Sequence, residues 1–487
     1  MSSALLLGID EGTTAVKVAL FDLDLQPVAE ARRGVPVTHP QPGWVEQDPE
    51  LILAAVIDAV AAVLEQADGR EVIAAGLDHQ GESVLAWDAD SGRALTPVIV
   101  WQDKRHEALL EQIGAEAVEP SGLPLDPYFS AGKLAWLLAN DAGVQRARDS
   151  GTLRLGTVDA FLVERLGGRS ATDLSTASRT QLLALGGRDW DERLLSSFGV
   201  RREWLPTVGP SFGELGELRH TSWPVAIPLA AQLVDQQAAL AGSGAVAPGE
   251  LKATYGTGVF VLGRTDGPRP APGLLPTVAW AAPDADRGVG EVAHALDGGV
   301  FAAGALLDWL AQGLGLADDA PALAASAARV GDSAGVRVLP ALSGLGAPWW
   351  QPGAHGVIAG LHAGVRPGHV AHAALEAIAW RVADIVEAMA EVAPVESVRV
   401  DGGLTNDDTL LRIQADALDV PLIVNRSDVT VLGAAMLAGV GAGVFASVRD
   451  AAELLPEGRR VSAGGDPAER ARARAAWKEF VAGSARL

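Results

Sequence analysis

The chain contains two segments with the same layout, in which a strand, a tight turn rich in glycine and threonine, and a second strand follow one another. The first is "LLLGIDEGTTAVKVALF", from Leu5 to Phe21, and the second is "ELKATYGTGVFVLG", from Glu250 to Gly263. After each hairpin the pattern alternates between strand and helix, which is typical of layered α/β folds rather than of helix bundles or β-sandwiches. The sequence therefore predicts two related α/β halves.

The length of the chain also favours two domains. Its 487 residues exceed what one hydrophobic core usually supports. The segment "GSGAVAPG", Gly242–Gly249, has the composition of a hinge. We place the boundary there, with an N-terminal domain over residues 1–244 and a C-terminal domain over residues 245–487, and we expect a ligand cleft between the two domains.

Charge and cysteine content exclude several functions. The formal net charge of −23 argues against nucleic acid or an anionic membrane as the main partner. It does not argue against small phosphates, which bind to local amides and single cations. Because the chain has no cysteine, disulfides and thiolate metal sites are excluded. The N-terminus lacks the basic region of a signal peptide, so we expect a cytoplasmic protein.

One uncharged segment of 20 residues, Val429–Val448, is long enough to cross a membrane. It is rich in alanine and glycine rather than in leucine and isoleucine, and Gly439 and Gly443 have the spacing of glycines at helix contacts. We interpret the segment as a buried, closely packed helix, and we expect no association with a membrane.

The first hairpin turn carries groups that suit a phosphate. Asp10 ends a strand, and Gly12, Thr13 and Thr14 follow it in the turn. Consecutive amides in such a turn form a concave anion site, Asp10 could hold Mg²⁺ through water molecules, and Lys17 adds a nearby cation. Taken alone, this motif is better explained by an ordinary hairpin turn.

Two further glycine turns strengthen that interpretation. "YGTG", Tyr255–Gly258, repeats the first turn, and "VDGG", Val400–Gly403, ends a strand just before a helix. Glycine lets the backbone approach a ligand closely, as nucleotide-binding loops require. Three such turns in order, at strand ends in both halves, indicate nucleotide binding more strongly than any one of them.

Asp235, in "LVDQQAAL", follows an apolar run and begins a helix. The simpler interpretation is a helix N-cap. The alternative is a general base, because phosphoryl transfer needs a carboxylate to orient and deprotonate the attacking hydroxyl. The chain has neither a Walker A loop nor the protein-kinase loops, so any phosphate chemistry uses a different fold.

Four histidines lie close together in the sequence. They are His355, His362, His369 and His372. Their surroundings lack a supporting set of carboxylate ligands, and surface or capping roles are commoner for histidine, so we predict no structural metal.

With these residues assembled, the chain resembles the FGGY carbohydrate kinases, and within them the glycerol kinases. The matching segments are "GWVEQDPE", "VWQDKR", "DPYFSAGKLAWLL", "GTVDAFLVERL", "TDLSTASRTQLL", "DQQAAL", "TYGTG", "GLGAPWW", "DGG" and the signature-like stretch Gly356–Ala377. The resemblance implies two actin-like domains of the RNase H type that close on ATP and a polyol or sugar, with Mg²⁺ as cofactor. It also implies a homodimer.

The resemblance assigns roles residue by residue. On the nucleotide side Thr13 and Thr14 would lie at the phosphates and Asp10 toward Mg²⁺. The other nucleotide-side residues would be Gly12, Lys17, Gly256, Thr257, Gly304, Asp308, Gly403 and Asp407. Two of these depart from the glycerol kinases, which have glutamine where Asp308 lies and asparagine where Asp407 lies.

On the substrate side the resemblance makes Asp235 the catalytic base. The residues that would contact the substrate are Gln80, Gly81, Glu82, Tyr128, Asp235, Gln236 and Phe260. Glycerol kinases have an arginine that contacts glycerol where this chain has Gly81. Losing one hydrogen bond to a charged group costs on the order of 1.5–3 kcal/mol.

Gly81 leaves the identity of the acceptor undecided. The vacated volume could admit a longer polyol or a ketopentose, or Lys104 or Arg105 could fill the gap and keep glycerol as the substrate. Because xylulokinases have a Met-His pair where Gly81 and Glu82 lie, the retained Glu82 favours glycerol. We therefore predict an ATP-dependent kinase that phosphorylates a primary hydroxyl of glycerol, with a nucleotide-dependent sensor on the same fold as the non-enzymatic alternative.

Overall fold

The computed structural model describes residues 4–425 and 428–484. The strands are β1 (Ala4–Glu11), β2 (Ala15–Phe21), β3 (Pro27–Gly34), β4 (Glu46–Gln47), β5 (Glu71–His79), β6 (Val84–Asp88), β7 (Val98–Ile99), β8 (Leu153–Thr157), β9 (Ala171–Asp173), β10 (Thr207–Gly209), β11 (Glu217–Leu218), β12 (Ile227–Val234), β13 (Leu251–Tyr255), β14 (Val259–Thr265), β15 (Leu275–Pro283), β16 (Val289–Val300), β17 (Arg337–Leu339), β18 (Val357–Ala359), β19 (Val398–Asp401), β20 (Leu422–Val424) and β21 (Arg459–Val461).

The α-helices are α1 (Pro49–Leu64), α2 (Glu107–Ile113), α3 (Ser130–Asn140), α4 (Ala142–Ser150), α5 (Val158–Gly167), α6 (Leu174–Ala177), α7 (Glu192–Ser197), α8 (Asp235–Gly242), α9 (Gly304–Asp308), α10 (Ala320–Val330), α11 (Pro367–Ala390), α12 (Asp408–Leu418), α13 (Val429–Gly441), α14 (Val448–Ala452) and α15 (Pro467–Ser484). Shorter helical turns cover Ala115–Ala117, Glu119–Ser121, Arg202–Trp204, Trp309–Gly313 and Gly403–Asn406.

The first half is built on a six-stranded sheet with the order β11-β12-β5-β1-β2-β3. The predicted hairpin is present, since β1 and β2 pair antiparallel with Ile9 opposite Val18. Strands β5 and β12 join β1 in parallel, so the carboxyl ends of all three strands meet at one edge. In α/β sheets ligands bind outside the carboxyl ends of parallel strands.

The second half repeats this plan in a seven-stranded sheet with the order β15-β16-β14-β13-β19-β20-β21. Strands β13 and β14 form the second predicted hairpin, and β19 lies parallel to β13 with Asp401 opposite Thr254. The predicted strand, glycine pair and helix after Val398 are β19, Gly402–Gly403 and α12. The expectation of two related α/β halves is therefore confirmed.

Local chemistry accounts for the start of α1. The Asp48 side chain accepts a hydrogen bond from the backbone N–H of Glu50, and Pro49 occupies the first helical position, as its fixed φ favours. The buried face of the helix, which includes Ile52 and Val60, packs on the six-stranded sheet.

Helix α13 lies against the first sheet although it comes from the second half of the sequence. A Cβ atom on Gly8 or Gly76 would collide with the backbone of α13, and one on Gly433 would collide with the backbone of α8. These glycines allow α13 to approach its neighbours at backbone distance. The uncharged segment is thus a buried helix over Val429–Gly441, as predicted. The predicted helix contact of Gly443 is wrong, because this residue is exposed beyond the helix and an added Cβ atom would have no heavy atom within 4 Å.

The described part of the chain contains no helix that is both long enough and apolar enough to cross a membrane. Between the two sheets the chain leaves α8 at Gly242 and enters β13 at Leu251. The domain boundary and the hinge that we place in this segment stay predictions.

Candidate active site

Three aspartates meet at the carboxyl edge of the first sheet. Asp10 lies near the end of β1 opposite Asp78 on β5. Asp235 directly follows β12, the strand on the other side of β5. Asp10 and Asp235 keep part of their surface open, whereas Asp78 is fully buried. The register of three parallel strands thus gathers one hidden and two accessible carboxyl groups.

Burial controls the protonation of this group. It raises the pKa of Asp235 to about 7, and the Asp10 carboxylate adds to the increase. Burial likewise raises the pKa of Asp10 to about 6. The pKa of Asp78 lies well above its usual value because of burial and the charges of Asp10 and Asp235. A carboxyl with a pKa near neutrality suits proton transfer at physiological pH.

Asp78 has an incomplete set of hydrogen bonds. Within the described residues, no N–H or hydroxyl group donates to either of its carboxylate oxygens. Because burial and the charges of Asp10 and Asp235 raise its pKa, the protonated form of Asp78 is favoured when no cation is present.

Gln80 holds the loop that follows β5. Its side-chain amide donates to Glu11 Oε1 at 2.8 Å and to Gln47 Oε1 at 2.9 Å. Its side-chain oxygen accepts from Ser83 at 2.9 Å. With all of these groups in use, we assign Gln80 a positioning role, and its predicted contact with the substrate stays untested.

Gly81 lies in the same loop with φ of +34°. A Cβ atom built on it would lie 3.2 Å from Val234 Cγ1. The loop backbone therefore suits glycine, and the arginine of the glycerol kinases has no direct counterpart at this position.

Among the described residues, neither of the two cations suggested as replacements forms an ion pair with Glu82. Lys104 is exposed and 3.9 Å from Glu107. Arg105 is buried, but it pairs with Asp103 and Glu46 and stacks 3.7 Å above the ring of Trp44. The suggestion that Lys104 or Arg105 fills the gap is therefore wrong.

A different arginine pairs with Glu82. Arg179, in the loop after α6, donates from Nε to Glu82 Oε1 at 2.7 Å. Its Nη2 lies 2.9 Å from Asp297 Oδ2 on β16, and its guanidinium lies 5.6 Å from the ring centre of Tyr128. The positive charge that Gly81 lacks is thus supplied from elsewhere in the chain.

Aromatic side chains form a wall beside these charges. Trp101 meets Tyr128 edge-on with ring centres 5.7 Å apart and Phe260 with ring centres 6.3 Å apart. Its indole N–H donates to Thr13 Oγ1 at 3.0 Å. Because all three rings are partly exposed, they can cover the carbon skeleton of a small ligand, and Trp101 links this wall to the first hairpin turn.

Lys252 joins the two halves beneath the site. Its ammonium donates to Gln236 Oε1 at 2.5 Å and to Thr254 Oγ1 at 2.9 Å, so one bond crosses to the first half. Burial lowers the pKa of Lys252, whereas Asp401 and Asp235 favour its charged form. A buried cation beside Gln236 can balance negative charge that develops next to Asp235.

The second half brings its glycine turns together. The backbone N–H of Gly304 donates to the carbonyl of Gly256 at 3.1 Å, and the N–H groups of Ala303 and Ala305 donate to Thr257. A Cβ atom on Gly304 would lie 2.7 Å from the Gly256 oxygen. The second hairpin turn and the start of α9 thus form a single backbone surface.

The predicted nucleotide contacts of Gly403, Asp308, Asp407 and Lys17 stay untested. Gly403 is exposed, as is Asp308 at the end of α9. The Asp407 carboxylate caps α12 by accepting the Thr409 N–H at 2.7 Å. Lys17 pairs with Asp428 at 2.5 Å and favours the charged form of Asp10.

Two other features lie outside this region. A groove of about 750 Å³ between α10, α11, α12 and α15 is lined by residues such as Trp380 and Arg412, and its lining includes none of the strand-end carboxylates. Of the four histidines, His369 caps α11 by accepting from the Arg366 N–H at 3.1 Å. Across residues 4–425 and 428–484 no three His, Cys, Asp or Glu side chains could together hold a metal ion.

Comparison with known families decides what this arrangement is. Residues 5–242 match the N-terminal domain, and residues 251–442 the C-terminal domain, of the FGGY family of carbohydrate kinases. The chain belongs to this family. The resemblance inferred from the motifs is therefore confirmed. The predicted fold of two actin-like α/β domains and the predicted ATP-dependent phosphotransferase activity are confirmed as well.

Individual relatives agree with this assignment. The kinase is 44% identical to a glycerol kinase of Geobacter sp. (strain M21) over 458 residues, which cover 90% of each chain. It is 41% identical to a glycerol kinase of Aromatoleum aromaticum over 494 residues, or 98% of each chain. The crystal structure of Plasmodium falciparum glycerol kinase with ADP is similar at 28% identity, with a TM-score of 0.90 over 99% of this chain and 98% of that one.

Several side chains of the site were not identified from the sequence. They are Asp78, Trp101, Arg179, Lys252 and Asp297. Trp101 and Arg179 lie inside the family-like segments "VWQDKR" and "TDLSTASRTQLL", which was the available signal. For Asp297 no local signal exists, because only the register of β16 with β14 brings it to the site.

Proposed function

We propose that this kinase transfers the γ-phosphoryl group of ATP to a primary hydroxyl of glycerol. The observation that carries the proposal is the position of Asp235. Its carboxyl, with a pKa raised to about 7, lies in one site with the Glu82–Arg179 pair and the aromatic wall. The two curated relatives named above are glycerol kinases.

In the proposed reaction the attacking hydroxyl gives its proton to Asp235 while its oxygen bonds to the γ-phosphorus and the bond to ADP breaks. Glu82 accepts a hydrogen bond from a second hydroxyl, and Trp101, Tyr128 and Phe260 cover the carbon atoms. Lys252 offsets the negative charge on the Asp235 side. Closure of the two halves would exclude water, which otherwise competes as the acceptor.

The strand-end carboxylates fit Mg²⁺, the expected cofactor. Asp10 and Asp78 offer hard oxygen ligands, and both oxygens of Asp78 lack a donor among the described residues. Mg²⁺ usually binds one or two carboxylates together with substrate phosphates, so a cage made only of protein is not required. When bound, the ion neutralises charge on the transferred phosphoryl group.

A longer polyol or a ketopentose is the second candidate acceptor, and Gly81 is the observation that favours it. Without a side chain at this position, the loop beside Glu82 leaves more room than the arginine of the glycerol kinases would. We place glycerol first because Arg179 supplies the missing charge without Gly81.

An assay of ADP release tests the proposal. The purified kinase is supplied with ATP and Mg²⁺ and with glycerol, erythritol, both threitols, ribitol, xylitol, the arabinitols or a ketopentose. The highest kcat/KM for glycerol supports the proposal, and a clearly higher value for a longer acceptor replaces glycerol by the second candidate. ATP binding with no turnover on any acceptor would instead favour the nucleotide-dependent sensor.

The proposal includes a cytoplasmic enzyme that acts as a homodimer on a small molecule, without nucleic acid or membrane partners. The family resemblance and the net charge of −23 support these points. Sedimentation of the purified kinase tests the dimer directly.

A further inference from the structure

Arg179 is buried among acids and aromatic rings with part of its hydrogen-bonding capacity unused. Its side chain is 3% exposed, and those of Glu82 and Asp297 are 5% and 6% exposed. Within the described residues, Nη1 of Arg179 has no hydrogen-bond acceptor and Oδ1 of Asp297 has no hydrogen-bond donor. Buried charged groups with unused donors and acceptors are costly unless a ligand completes them.

These unused atoms suit a hydroxyl group. A hydroxyl can accept from a guanidinium and donate to a carboxylate at the same time. The guanidinium that pairs with Glu82 and Asp297 also lies 5.6 Å from the ring centre of Tyr128, a residue of the aromatic wall. The vacant hydrogen-bonding positions therefore lie on the side of the site where the acceptor is expected.

We propose that Arg179 binds a hydroxyl of the polyol that is not phosphorylated, and that Asp297 is a positioning residue that fixes the guanidinium for this contact. The inference deepens the proposed function, because it names the group that recognises the acceptor in place of a side chain at Gly81. It also defines the acceptor class as neutral polyols that carry a further hydroxyl beyond the reacting carbon. Asp297 lies on β16, so residues of both halves contribute to acceptor recognition.

The test pairs a change in the protein with a change in the acceptor. We compare kcat/KM of the wild type and Arg179→Gln on glycerol, propane-1,2-diol and propane-1,3-diol, each of which lacks one hydroxyl of glycerol. The variant should lose about 10- to 100-fold on glycerol. On the diol that lacks the contacted hydroxyl it should lose no more than about threefold, because the interaction is already missing there. Equal losses on all three acceptors would overturn the proposal.

Arg105→Gln is the matched control, because Arg105 is also an arginine that is 3% exposed and paired with two acids, but it stacks on Trp44 outside the site. It should lower the melting temperature, and any change in kcat/KM should be the same on all three acceptors. The same selectivity in Arg105→Gln would also overturn the proposal, since a general loss of stability would then explain the result.

Asp297→Asn keeps the shape of the side chain and decides the question if Arg179→Gln does not fold. We expect a KM for glycerol raised about tenfold, calorimetric ADP affinity within about threefold of the wild type, and partial recovery of the KM in Asp297→Glu. An unchanged KM for glycerol would remove Asp297 as the positioning residue. If the wild type does not phosphorylate glycerol, the proposed function fails first, and the same comparison is made with the acceptor found in the panel and its deoxy analogues.

Discussion

The two halves of the kinase share a hairpin, a parallel strand and a helix, yet they contribute different chemistry to the cleft. The first half contributes side chains, in the form of carboxyl groups at the ends of β1, β5 and β12 whose pKa values burial raises. The second half adds the side chains of Lys252, Phe260 and Asp297, but its predicted nucleotide side consists mainly of backbone, in the form of glycine turns at Gly256, Gly304 and Gly402. We therefore propose that the same local topology serves proton transfer on one side and close approach to a nucleotide on the other.

This difference predicts that side-chain chemistry controls turnover, whereas backbone shape controls nucleotide affinity. Asp235→Asn gives the largest expected effect. It keeps the volume of the side chain but removes the base, so kcat should fall by about 10²–10⁴-fold. Calorimetric affinity for ADP should stay close to that of the wild type.

Asp48→Asn is the matched control for Asp235→Asn, because Asp48 also begins a helix, where it caps α1 away from the cleft. It should change kcat little. Near-normal turnover in Asp235→Asn would mean that Asp235 only begins a helix. It would also contradict the proposed difference in chemistry between the two halves.

Gly402→Ala tests the backbone side. Gly402 has φ of +96°, and an added Cβ atom would collide with the backbone of Tyr255. Because both effects push β19 away from the hairpin turn, we expect ADP affinity to fall about 10- to 100-fold, with a smaller effect on the step catalysed by Asp235. Fluorescence or calorimetric titration with ADP measures the change.

Two other glycines sharpen this test, since a Cβ atom on Gly403 or Gly34 would have no heavy atom within 4 Å. Gly34→Ala, at the end of β3, should leave ADP affinity as in the wild type. Gly403→Ala should keep the melting temperature, so any loss of ADP affinity would report a direct contact. If Gly402→Ala bound ADP normally, backbone shape would not control that side of the cleft.

The sequence predicted those parts of the molecule that depend on local patterns. Both hairpins, the start of α1 at Asp48 and the buried helix α13 follow from alternation, capping residues and composition, and the structure contains them. The family motifs placed Asp235 and Glu82. Local patterns do not encode strand register, however, and only register places Asp78 opposite Asp10. For the same reason the partners of Arg179, which lie on distant strands and loops, could not be predicted, and Lys104 and Arg105 were suggested wrongly.

The pH dependence of kcat/KM provides a third test, which concerns the side-chain half. Asp235 acts as a base only when ionised, and its pKa is raised to about 7. Activity should therefore fall about tenfold for each pH unit below that value and level off above it. The profile with saturating MgATP and varied glycerol measures this dependence. A flat profile between pH 5 and pH 8 would separate Asp235 from proton transfer.

The smallest expected effect is on stability, and it tests whether Asp78 is held with a raised pKa. A folded-state pKa above the unfolded value of about 3.9 means that the folded chain binds more protons than the unfolded chain between those two values. The wild type should therefore lose stability as pH rises through this range, and Asp78→Asn should remove that loss.

Without Mg²⁺, we expect the variant to show a smaller decrease in melting temperature from pH 5 to pH 8, by roughly 1–3 °C. Asp88→Asn is the control, because the pKa of Asp88 is lowered to about 2 and its charge is constant over this range. An equal decrease in Asp78→Asn and the wild type would show that Asp78 ionises at its ordinary pH, and the carboxyl edge would then owe its raised pKa values to Asp10 and Asp235 alone.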